Sequence, residues 1–167
     1  MENTIQIKEE NVLRFNVKNA QGEDTGLILK FDLQDIELPL RVNNAKKLHD
    51  KNISILKQKF AVINKQEDKV VDGFLSYKDE EKIKAMRDFY DSDIKALDMF
   101  IGQGMTKKIL KALDRFPYYD MFDNIVDALE PVLDKFENEA SNMVSGIEAK
   151  IKDIKNKYGE ENAGDTI

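Results

Sequence analysis

Apolar positions in the C-terminal part of the chain fall on a single stripe: Phe122, Val126, Leu129, Leu133, Phe136, Ala140, Met143, Ile147, Ile151, Ile154 and Tyr158. Ten steps cover 36 residues, a mean of 3.6 per step, which is the α-helical period. The residues between them are mostly charged or amide-bearing. The pattern predicts one long amphipathic helix over 119–158 with a single dry face, and that face needs a cover. Pro131 lies inside it. The stripe keeps its phase from Leu129 to Leu133, which predicts a continuous helix kinked near the proline rather than two separate helices. The first half, Phe122 to Phe136, is expected to pack on the chain's own helices. The second half, Ala140 to Tyr158, carries Glu148, Lys150, Lys152, Asp153, Lys155 and Lys157 and has no evident internal cover. Its alternation of four and three breaks once, at Met143-Ile147-Ile151, which argues against a long coiled coil.

Upstream the period changes. Val12, Phe15 and Val17, then Leu27, Leu29, Phe31 and Leu33, alternate partially on either side of the turn-forming run Asn19 to Gly26. They predict a β-hairpin over 11–33. A lone hairpin is marginal in water, so it must lean on helices or pair with another chain. After Pro39, helical spacing returns over about 40–64 (Ala45, Leu48, Ile55, Leu56, Phe60, Ile63). Ser76, with Asp79 three residues on, marks the start of a helix over 77–101. Gly102-Gln103-Gly104 ends that helix, and a short basic helix over 105–113 follows. The fold class is therefore α+β, mainly α: an N-terminal β-hairpin, then a helical domain ending in the long amphipathic helix. Residues 1–158 read as a single domain, with 1–10 frayed and 159–167 a disordered tail.

Composition narrows the classes. Of 167 residues, 41% are apolar and 35% charged, and none is cysteine, which removes disulfides and thiolate metal sites. The N-terminus shows no signal-peptide pattern, and no run approaches the ~20 apolar residues of a membrane span. Net charge is −6 and uneven. Residues 40–70 hold eight basic and three acidic side chains; residues 120–139 hold seven acidic and one basic. These are two solvated faces, or complementary surfaces that meet within or between chains. The basic stretch lacks the aromatic or glycine-rich pattern of a nucleic-acid site.

Catalytic patterns are weak. His49, the only histidine, lies among Lys46, Lys47, Asp50 and Lys51 and reads as a surface residue. Asp88, Asp91, Asp93 and Asp98 lack the spacing of a calcium loop and read as a solvated face. Gly102 to Lys108 has the wrong order for a phosphate loop, although the helix behind it offers free N–H groups to a stray anion. Asn52-Ile53-Ser54 matches a glycosylation sequon by chance. No catalytic, cofactor or metal residue is assigned, and none of these patterns points to an enzyme.

The densest cluster is Gly102 to Phe136: a glycine hinge, a basic helix, Phe116-Pro117-Tyr118-Tyr119, and the start of the stripe. Phe116 and Phe122 are assigned to the core, and Tyr118 and Tyr119 equally to core or interface. This segment resembles the tail assembly chaperones of long-tailed, siphovirus-type phages of Gram-positive bacteria. The resemblance lies in Gly102, Gly104, Thr106-Lys107-Lys108-Ile109, Asp120-Met121-Phe122, and Ala128-Leu129-Glu130-Pro131 with Leu133 and Lys135. Ile109-Leu110-Lys111 departs from the family's pattern, and nothing beyond Phe136 matches it. The resemblance implies a non-enzymatic factor in the host cytoplasm, absent from the mature virion. It would bind the tape-measure protein and help recruit tail-tube subunits. The candidate partner-binding residues are Tyr118, Tyr119, Met143, Ile147, Ile151, Ile154 and Tyr158, with self-association a further option and neither nucleic acid nor membrane as a partner. Two other readings stand beside it: a structural virion or assembly protein that uses the hairpin for β-augmentation, and an acidic regulatory adaptor.

Overall fold

The computed structural model describes residues 12–69 and 73–159. The expected frayed N-terminus and the tail beyond Gly159 lie outside these residues, as does the side chain of Tyr158. The chain is mainly helical behind an N-terminal antiparallel hairpin, in the order β1 (Val12–Lys18), β2 (Asp24–Asp32), α1 (Leu38–Lys65), α2 (Tyr77–Ile101), α3 (Met105–Ala112) and α4 (Met121–Gly159).

In the hairpin, strict alternation sends one face inward: Leu13, Phe15 and Val17 on β1, Leu27, Leu29 and Phe31 on β2. Phe15 is paired with Leu29 and Leu13 with Phe31, and the Phe15 and Phe31 rings meet edge to face at 6.0 Å. Strand β2 begins inside the turn-forming run, at Asp24. The reversal is completed by Asn19, whose Oδ1 accepts from the Gln21 and Glu23 amides, so Asp24 is already paired with Lys18.

Helix α1 likewise begins earlier than predicted, because Pro39 sits in its first turn, where its missing N–H costs nothing. Helices α1 and α2 run antiparallel, with His49 opposite Asp93 and Lys59 opposite Asp88. Ser76 caps α2 by accepting from the Asp79 amide at 3.2 Å. Between α2 and α3, Gly102 (φ 110°) and Gly104 (φ 75°) hold backbone angles that disfavour a Cβ.

The main core lies where the inner hairpin face, the start of α1, the end of α2, α3 and the first half of α4 converge. A smaller cluster, Leu56, Ile63, Ala85 and Phe89, closes the far end of the α1–α2 pair. Helix α4 is unbroken from Met121 to Gly159 with Pro131 inside it.

Candidate partner-binding surface

Cover over the α4 stripe ends partway along it. Phe122, Leu129 and Phe136 are buried, and Val126 and Leu133 pack partly against the main core. Beyond Phe136 the cover thins: Ala140 and Met143 are half-buried, then Ile147 is 55% exposed, Ile151 48% and Ile154 55%. Val144, off the predicted stripe, is 55% exposed as well. With about 100° of turn per residue it widens the same face next to Ile147 and Ile151. Among the described residues, an apolar strip therefore runs along the second half of α4 facing no other element.

The strip opens at its near end onto a groove of about 340 Å³. Leu38, Pro39, Val42, Asn43 and Lys46 of α1 form one wall; Leu133, Phe136, Glu137 and Ala140 of α4 form the other. Leu38 and Val42 were invisible as groove residues from sequence, which placed them before and outside the α1 pattern. The basic α1 and acidic α4 thus meet within the chain, Lys46 and Glu137 lining one groove.

Tyr118 and Tyr119 lie elsewhere. Roughly 40 Å of helix separates them from Ile147. The Arg115 guanidinium sits 5.1 Å from the Tyr118 ring centroid, and the Tyr118 hydroxyl accepts from Asn124 at 3.4 Å. Tyr119, 44% exposed, stacks on Phe89 at 5.6 Å. These two therefore belong to the α3–α4 corner and not to the strip. Phe116 differs from its core assignment: it is 90% exposed, because it falls in the turn between α3 and α4.

Two polar readings are corrected. His49 is buried, as are Asn52 and Asp93. His49 Nδ1 and Asp93 Oδ2 are 2.8 Å apart, Asn52 Nδ2 donates to Asp93 Oδ1 at 2.9 Å, and Ser92 Oγ donates to Asn52 Oδ1 at 2.9 Å. The His49 ring stacks on Phe122 at 4.1 Å and 5°, with Asp123 Oδ1 3.8 Å from its Nε2. This network joins α1, α2 and the start of α4. Burial pushes the Asp93 carboxyl above its usual range, opposed by the Asn52 hydrogen bond and the His49 charge. Serine, histidine and aspartate are close, but the serine hydroxyl is taken up by Asn52 and His49 is sealed under Phe122, so the geometry is that of a structural clasp. Asn52 is likewise taken up inside the protein.

The supposed solvated face of aspartates is likewise divided. Asp88 pairs with Lys59, Asp93 with His49, and Asp98 reaches the start of α3. Asp98 accepts from the Gly104 amide at 2.7 Å, the Thr106 amide at 2.9 Å and the Thr106 hydroxyl at 2.6 Å. Two of the N–H groups that a stray anion would need, those of Gly104 and Thr106, are therefore already occupied by an internal carboxylate.

No family model matches the chain, and no match is found among curated proteins or solved structures.

Proposed function

We propose that this chain is a phage tail assembly chaperone, a non-enzymatic factor that holds the tape-measure protein in the host cytoplasm and helps bring tail-tube subunits to it. One observation carries the reading: the apolar face of α4 is covered as far as Phe136 and bare from Val144 to Ile154. An extended helical client needs temporary apolar partners, and a helix face with charged flanks supplies them reversibly. The resemblance of Gly102 to Phe136 to the chaperone family names the client. The strip lies just beyond that segment, on the same helix.

Co-expression with a tape-measure fragment tests it. The fragment is expected to co-purify with the wild-type chain and to be lost with the double variant Ile147→Asp/Ile151→Asp. Failure of the wild-type chain to retain the fragment at both low and moderate salt would sink the proposal.

A second reading rests on the hairpin. The described sheet has two strands only, so each strand has an unpaired edge. A structural tail protein could extend that sheet with a partner strand. Such a protein stays in the finished particle, so mass spectrometry of purified tails separates the two readings: the chaperone is absent.

A further inference from the structure

The break in the α4 stripe is symmetric. Relative to Ile147, the apolar positions Ala140, Met143, Ile151 and Ile154 fall at −7, −4, +4 and +7, and the sequence adds Phe136 at −11 and Tyr158 at +11. Any alternation of four and three with one repeated four reads the same from both ends, so this spacing permits an antiparallel self-pairing without selecting it. Read from either end, the spacing is the same.

Four of the flanking charges have the opposite symmetry, whereas Glu148 at +1 and Lys150 at +3 have Gly146 and Val144 as their counterparts at −1 and −3. Glu137 and Glu139 fall at −10 and −8; Lys157 and Lys155 fall at +10 and +8. At about 100° per residue, Glu137 and Lys155 edge one side of the stripe, and Glu139 and Lys157 edge the other.

The apolar spacing allows a self-pairing, and the charge complementarity of the two ends selects it. We infer that the bare strip pairs with the same strip of a second copy of this chain, antiparallel, about a two-fold axis at Ile147. Ile147 then meets its own symmetry mate, Ile151 meets Met143 of the other copy, and Ile154 meets Ala140. The break in the stripe falls at the axis, where both copies share it, so the 4-4 step is matched and not out of phase. On the flanks, Lys155 faces Glu137 of the other copy and Lys157 faces Glu139. The two-fold repeats each pair, giving like-with-unlike contacts at both ends of the paired strips, while Glu148 lies near its own mate beside the axis. At these four positions a parallel pairing would set lysine beside lysine and glutamate beside glutamate. The open groove at Leu38, Val42, Leu133 and Ala140 leaves room for the end of the second helix to reach the level of Phe136.

The inference stands on the pattern of α4 and does not depend on the chaperone reading. Where both hold, a client helix and a second copy compete for one face, and the free protein keeps its strip covered until a client arrives.

Sedimentation velocity of the full chain over a dilution series is the first test, with a reversible monomer–dimer equilibrium expected. Lys155→Glu/Lys157→Glu makes all four flanks acidic, and Glu137→Lys/Glu139→Lys makes them all basic. Each is expected to weaken the dimer by roughly tenfold or more, and an equimolar mixture of the two to restore it. Circular dichroism confirms that both variants fold. Because the chain has no cysteine, orientation is read by mixing Ala140→Cys and Ile154→Cys proteins with a short bismaleimide: 140-to-154 cross-links are expected. A chain monomeric at every concentration, a mixture that fails to restore association, or 140-to-140 cross-links would each overturn the inference.

Discussion

The two halves of α4 share one helix, one period and one class of residue, yet Phe136 is 2% exposed and Ile147 55%. The difference lies in what is within reach. The hairpin, the start of α1, the end of α2 and α3 converge on the first half and form the main core there. None of them extends along the second half. An apolar period therefore says that a face will be covered, and the surrounding topology decides by whom. The halves also differ in what holds them. The first is fixed by core packing and by the His49–Asp93 clasp; the second faces no other described element.

Breaking the covered half is expected to cost most. Phe122→Ala removes a buried ring that also stacks on His49, and should destabilise the fold by about 3–5 kcal/mol in denaturant titration. A loss below about 1 kcal/mol would show that the first half of α4 is not part of the main core.

Asp98→Ala comes next. It leaves the Gly104 and Thr106 amides and the Thr106 hydroxyl without their acceptor, at a cost of about 1–3 kcal/mol. Hydrogen exchange should quicken in α3 first. Unchanged exchange there would contradict the capping role.

Asp35 gives a smaller, pH-dependent effect. Its hydrogen bond with the Arg41 guanidinium holds its carboxyl below the usual range. A lowered folded value means that its contribution is present above the unfolded value, about 3.9, and is lost as pH falls through the folded one. Asp35→Asn should therefore shallow the loss of stability in acid, with little change at neutral pH because the pair is partly exposed. Asp93 works in the opposite sense: its raised value means that any stability it adds is lost as pH rises through it. An acid limb unaltered by Asp35→Asn would remove the pair from the account.

The smallest effect on stability is expected from the bare half. Ile147→Asp/Ile151→Asp should shift unfolding by no more than about 0.5 kcal/mol per site, since neither side chain leaves a core. A large loss in dilute solution would mean that the strip is covered by the chain itself.

Most elements were legible because their signals are local. The hairpin followed from alternation, α2 from Ser76 and Asp79, and α4 from its period. The polar clasp was not, although its phase was available. His49 and Asn52 continue the buried series Leu38, Val42, Ala45 toward Leu56, and Asp93 continues Ala85 and Phe89 toward Leu97. Residue type and lysine neighbours point to the surface, but helical phase decides burial. Phe116 erred the other way: an aromatic ring was assigned to the core from its type, but a turn gave it no wall to pack on. The groove at Leu38 and Val42 needed tertiary structure, because it exists only where α1 approaches α4.

Hydrogen exchange along α4, with the chain dilute enough to be monomeric and with or without a tape-measure fragment, tests the central claim most directly. The account expects new protection confined to Met143–Lys157, with Met121–Phe136 protected throughout. New protection in the hairpin instead, or none anywhere in α4, would contradict it.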